Sequence, residues 1–161
     1  METVAPSLEQ TRPGLTSVDE SALRVCLITL GGELFAIDLR YVREVFEIES
    51  ATPVPGLPSS LTGVANLRGL VIPLADLRGM MGLSTSGPAP QCAVVVKHAS
   101  HQLAVLIEGV PEIRTIHRTQ LLPAVINAEG KSRPFVSAVL KLEDRLGAML
   151  EVPALFKQLE M

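Results

Sequence analysis

Tryptophan is absent from this 161-residue chain, tyrosine occurs once and phenylalanine four times. Stacked-base recognition and aromatic cages are therefore poorly provided for, and a core has to be built from Val, Leu, Ile, Ala and Met. Cysteine is scarce too: Cys26 and Cys92 lie far apart, each in an apolar run. Without a CxxC or a multi-cysteine framework they read as buried, reduced thiols acting as small hydrophobes. Basic runs are missing, and 14 Lys and Arg against 17 Asp and Glu leave a net charge of −3. A nucleic-acid backbone would meet a mildly repulsive surface. The mean hydropathy is positive, yet the two longest uncharged stretches, 50–67 and 79–96, are broken by Pro53, Pro55 and Pro58 and by Pro88 and Pro90, which excludes lipid-facing helices. The N-terminus lacks a basic segment followed by an apolar one. These absences together point to a soluble cytoplasmic protein.

What is present is 47% apolar and 19% charged residues, the balance of a compact domain and not of a disordered chain. Residues 1–21, rich in Ser, Thr, Pro, Glu and Gly, read as a flexible N-terminal tail. From 22 to 156 apolar runs alternate with turn residues. Arg24 to Leu30, Gly31-Gly32 and Leu34 to Ile37 form a β-hairpin pattern. Asp38 caps one or two helical turns through Arg43, Phe46 to Ser50 is a strand, and Pro53 to Pro58 is extended loop. Leu61 to Leu67 and Leu70 to Ala75 make a second hairpin around Arg68-Gly69. Pro73 inside its second strand marks an edge or a bulge. A linker at 82–91 leads to Cys92 to Lys97, a turn from His98 to His101, and Leu103 to Ile107. A Pro- and Gly-rich loop around 123–134 precedes Phe135 to Leu142 and Arg145 to Glu151. Pro153 then suits the first turn of a short helix, with 157–161 as a short end.

The order repeats. An offset of 68 places Leu34 to Ile37 on Gln102 to Val105, Val42 on Val110, Glu44 on Glu112 and Val45 on Ile113; an offset of 75 places Val64 on Val139, Leu74 on Met149 and Asp76 on Glu151. An internal duplication follows, with units at about 23–81 and 92–156. A unit of about 60 residues buries too little surface to be robust alone, so the two must share an interface, and strand exchange between them is allowed. The expectation is an all-β protein of two small packed barrels with a partner-binding groove between them.

Enzyme motifs fare poorly. Gly130-Lys131-Ser132 ends like a phosphate loop, but Val125 stands where its first glycine belongs. His98 and His101 could meet at a metal, yet no third ligand is near in sequence, so a solvated turn is the simpler reading. Neither a Gly-x-Ser-x-Gly elbow nor a His-Glu-x-x-His occurs. No cofactor and no catalytic residue is assigned. The most informative segment is Gly63 to Arg78. There Asn66, Arg68 and Gly69 sit at a hairpin tip between apolar strands and Asp76 follows the second. Arg68 either offers its five donors to a partner or pairs with an acidic loop residue.

Asn66-Leu67-Arg68-Gly69-Leu70-Val71-Ile72-Pro73-Leu74-Ala75-Asp76-Leu77-Arg78 resembles the hallmark of the CheW family of chemotaxis coupling proteins. Leu30 to Ile37, Tyr41 to Val45, Pro53 to Pro58 and Leu106 to Val110 resemble family segments in the same order. The resemblance covers about 23–156. It implies two five-stranded SH3-like barrels with short helices, and a non-enzymatic adaptor joining chemoreceptor cytoplasmic tips to the regulatory domain of a CheA-type sensor histidine kinase. Receptor-contact positions carried over by it are Val42, Glu44, Gly63, Arg68 and Val95. The closing segment Met149 to Phe156 departs from the family's usual Asp and Leu-rich helix, and a kinase's own domains would not fit beside two barrels in this length. The alternative of a different class is a double barrel whose groove binds a small molecule.

Overall fold

The computed structural model describes residues 20–49, 51–58, 60–87, 89–124 and 134–159. Most of the tail and the Gly130-Lys131-Ser132 fragment lie outside them. Ten strands and one helix follow in order: β1 (Ala22–Leu30), β2 (Glu33–Asp38), β3 (Val42–Glu47), β4 (Leu61–Leu67), β5 (Leu70–Ala75), β6 (Cys92–His98), β7 (His101–His117), β8 (Leu121–Pro123), β9 (Val136–Lys141), β10 (Leu146–Leu150) and α1 (Val152–Gln158). The four hairpins stand where the apolar runs and turns place them.

Strand pairing does not follow the two halves of the sequence. The β1–β2 hairpin joins β10 in parallel, Leu34 opposite Gly147, and β10 continues to β9 and β8. The β6–β7 hairpin joins β3 on one side and β5 on the other, and β5 pairs with β4. One barrel thus combines the first hairpin with β8, β9 and β10. The other combines β3, β4 and β5 with β6 and the first half of β7, and a bridge between Thr52 and Val64 closes it. Its hairpin tips at 68–69 and 99–100 lie at one end of this barrel together with the start of β3, because β3 runs antiparallel to β6 and β5 parallel to β7.

β7 belongs to both sheets. Its residues from His101 to Ile107 pair with β6 and those from Glu108 to His117 pair with β1. The expectation that this strand ends at Ile107 is corrected here: Gly109, Val110 and Pro111 form an irregularity between Thr29–Glu108 and Leu27–Glu112, and the strand resumes beyond it. A bulge tolerates the missing proline N–H.

The repeat is real in element order but shifted in register. Each half reads hairpin, 3-10 turn, short strand and, further along the chain, a second hairpin. The turns at Leu39–Tyr41 and Arg118–Gln120 are capped alike, with the side chains of Asp38 and His117 accepting from the backbone N–H two residues on. Val42 therefore corresponds to Leu121, an offset of 79, and not to Val110. The 11-residue change from 68 equals the excess of β7 (17 residues) over β2 (6 residues). The Asp38-capped helix is also shorter than expected, since Val42 already pairs with Val96 in β3.

Three apolar clusters explain the continuous hydrophobic runs. In β1, Val25 and Leu27 face the interior of the first barrel while Cys26, Ile28 and Leu30 face the seam. In β6, Ala93 and Val95 face the second barrel and Val94 and Val96 the seam. A strand buried on both faces shows no polar alternation. The seam holds the largest cluster, joined by Val152, Leu155 and Phe156 of α1 at helical spacing. At about 1.5–3 kcal/mol for each large apolar side chain buried, it is the main term uniting the barrels.

A polar latch crosses the same seam. Arg78, the one buried charged residue described, donates from Nε (3.0 Å) and Nη2 (2.9 Å) to Asp76 and from Nη1 to Glu108 (3.3 Å). Glu108, where β7 changes barrels, also accepts the backbone N–H of Gly31 (2.8 Å) and Gly32 (3.0 Å) at the tip of the first hairpin. The hydrogen bonds of Arg78 hold the Asp76 carboxyl below the usual carboxylate range, against the opposing effect of burial.

Candidate partner interface

The β4–β5 hairpin turns through two residues with positive φ, Arg68 (53°) and Gly69 (86°). This is the pattern of a type I′ turn, whose twist matches that of the strands. Asn66 fixes the turn, its Oδ1 accepting the Gly69 N–H at 2.8 Å. Glycine suits the second position, whereas an arginine in the left-handed region is uncommon. The side chain it presents is 66% exposed and its Nη2 donates to Glu44 Oε1 on β3. The hydrogen bond and charge of Glu44 hold the guanidinium still more firmly protonated than usual.

Glu44 shares its face of β3 with Phe46, which packs into the second barrel. Its carboxylate therefore stands at the barrel's end, over the core. On its other side lies Arg43 Nε at 3.7 Å, while Arg43 Nη1 donates to Gln102 Oε1 on β7. Lys97 is the register partner of Gln102. A polar row thus runs across this end of the barrel in the order Arg68, Glu44, Arg43, Gln102, Lys97, flanked by the exposed apolar side chains of Val45, Leu70 and Val71.

Of the residues singled out from sequence, Glu44, Arg68, Asn66 and Gly69 come together here. Val42 is half-buried against the seam cluster. Gly63 and Val95 differ from the expectation of contact positions. Val95 is fully buried in the second barrel, opposite Glu44 across the β3–β6 pair, so its side chain supports the site from beneath. Gly63 is buried with φ +153°, and a Cβ there would lie 2.4 Å from the Thr52 carbonyl oxygen. Its place is required by the bridge in which Thr52 and Val64 exchange two 2.9 Å backbone hydrogen bonds. Asp76 lies in the latch with Arg78 and not in this row. His98 packs between the rings of Tyr41 and Phe156, at centroid distances of 6.3 and 6.0 Å.

Sequence reasoning missed Arg43, Lys97 and Gln102 in the row, and Arg78 and Glu108 in the latch. Lys97 and Gln102 flank a hairpin turn symmetrically, the one signal that foretells their pairing. Nothing local links Arg78 to Glu108.

Among the described residues no helix is long and apolar enough to cross a membrane. The CheW-like domain family matches residues 24–160. Among curated relatives, the chemotaxis protein CheW of Rhizobium meliloti is 29% identical over 79% of this chain and 83% of its own length. That of Helicobacter pylori is 28% identical over 87% and 85%, and Protein PilI of Pseudomonas aeruginosa is 29% identical over 71% and 65%. The solved structure of the scaffolding protein TtCheW from Thermoanaerobacter tengcongensis superposes with a TM-score of 0.70 at 24% identity, covering 80% of this chain and 88% of that one, and so shares its fold. With two exchanged SH3-like barrels, and a family match that runs from β1 through α1, the chain belongs to the CheW-like domain family of chemotaxis proteins.

Proposed function

We propose that this protein is a non-enzymatic cytoplasmic adaptor that couples the cytoplasmic tips of chemoreceptors to a CheA-type sensor histidine kinase. The observation that carries the reading is Arg68. The chain holds a charged side chain in a left-handed turn, two-thirds exposed, with one partner among the described residues for its five donors. A non-glycine residue with positive φ at an exposed tip adds little to folding, and such outliers concentrate at functional sites. The flanking Val45, Leu70 and Val71 supply apolar area for a receptor helix, and Arg68 and Glu44 supply the charged hydrogen bonds that fix its register. Adaptor action needs contact and no chemistry.

The test is co-sedimentation of the full chain with receptor signalling fragments and kinase. The adaptor reading expects a ternary pellet with the wild type and a depleted one with Arg68→Glu, whose melting temperature stays that of the wild type. Failure of the wild type to join receptor and kinase would sink the reading. A large fall in the melting temperature of Arg68→Glu would instead assign Arg68 a structural role.

A further inference from the structure

The end of the second barrel carries a second feature beside the Arg68–Glu44 pair. Arg43, Lys97, Ser100, His101 and Gln102 line a depression of about 330 Å³ at the β6–β7 hairpin. A guanidinium, an ammonium, an imidazole, a hydroxyl and an amide line it, and no carboxylate is among the lining residues. This is notable in a chain with more acidic than basic residues. Lys97 has no ion-pair partner among the described residues, and it is exposed. Arg43 is held in place at both ends of its guanidinium, by Gln102 Oε1 and, at 3.7 Å, by Glu44. Because Gln102 accepts through its oxygen, its amide N–H groups are left to donate outward. The depression therefore carries cationic and neutral donors with no anionic acceptor among its lining residues, fixed by strand pairing between Lys97 and Gln102.

We propose that this depression is a carboxylate-binding site for an acidic segment of a protein partner. Its donors are the ends of separate side chains spread along a strand pair. That layout suits successive carboxylates on one segment better than a single phosphate, which is bound best by donors converging on one point. Through Arg43 the site is continuous with Glu44 and Arg68, so one partner can place an acidic side chain here while its apolar face covers Val45 and Leu70. The site extends the docking face of the adaptor reading and rests on it for the choice of partner, but its test needs neither receptor nor kinase.

It is tested without receptor or kinase, by titrating the isotope-labelled full chain with a glutamate-rich peptide at low salt and following backbone amide shifts. A glutamine-rich peptide of the same length and inorganic phosphate serve as separate arms. The expected result is saturable shifts confined to Arg43 and 97–102 with the acidic peptide alone, weakening as salt rises. Lys97→Glu should lower the apparent affinity roughly tenfold or more, and Lys97→Gln less, both with the wild-type melting temperature. Shifts scattered over other surface cations, saturation by phosphate but not by the peptide, equal response to the glutamine-rich peptide, or silence at 97–102 would each overturn the proposal.

Discussion

Replacing Arg78 by methionine tests whether the seam between the barrels is held by charge as well as by apolar packing. The guanidinium is 9% exposed, and its partners Asp76 and Glu108 are 23% and 18% exposed. Methionine retains most of the apolar stem, so the loss falls on three hydrogen bonds of 2.9–3.3 Å. Bonds to charged groups are worth about 1.5–3 kcal/mol each but do not add, and stripping one member from a buried ion pair costs about 3–5 kcal/mol. Water reaches both carboxylates in part and offsets some of this, so we expect Arg78→Met to lose about 2–4 kcal/mol at neutral pH. Asp76 has a folded pKa below its unfolded one. Its contribution is complete above the ordinary carboxylate value and vanishes as pH falls through the folded value. The gap between wild type and variant should therefore narrow in acid. Urea unfolding followed by far-ultraviolet circular dichroism suits a chain without tryptophan. A gap below about 0.5 kcal/mol at neutral pH, the size of a surface pair, or one that widens in acid, would show that the Arg78 ion pairs do not hold the seam.

Gly63→Ala should destabilise by roughly 1–3 kcal/mol, because the new Cβ meets backbone and not a movable side chain; an unchanged urea midpoint would show that the Thr52 bridge is dispensable. Phe156→Ala removes a fully buried ring from the seam and should cost about 3–5 kcal/mol, read as a fall in the urea midpoint. Burial pushes the Cys26 thiol up to about 11. In native protein near neutral pH it should resist a thiol reagent that reacts at the half-buried Cys92, becoming reactive only on unfolding.

The sequence and the fold agree best where local signals suffice. All four hairpins were legible because apolar runs flank short polar or glycine-rich turns, and Pro153 marked α1. Three features were not. The length of β7 was hidden by Gly109 and Pro111, which interrupt the apolar run after Ile107 and are absorbed as a bulge where the strand changes barrels. The exposure of Val95 was unreadable because β6 is buried on both faces, and every valine in it looks alike. The exchange of hairpins between the halves depends on pairings such as Leu34 with Gly147, which no local pattern records. At the site itself, the resemblance supplied Glu44 and Arg68 as separate positions. Only the antiparallel register of β3 with β6 and the parallel one of β5 with β7 bring them to one end of the barrel.

The most direct measurement is receptor-controlled kinase autophosphorylation in reconstituted receptor membranes, with and without this chain. The wild type should make kinase activity respond to receptor ligand, and Arg68→Glu, folded to the same melting temperature, should not. Ligand-responsive activity that is equal with wild type, with Arg68→Glu and with no added chain would contradict it.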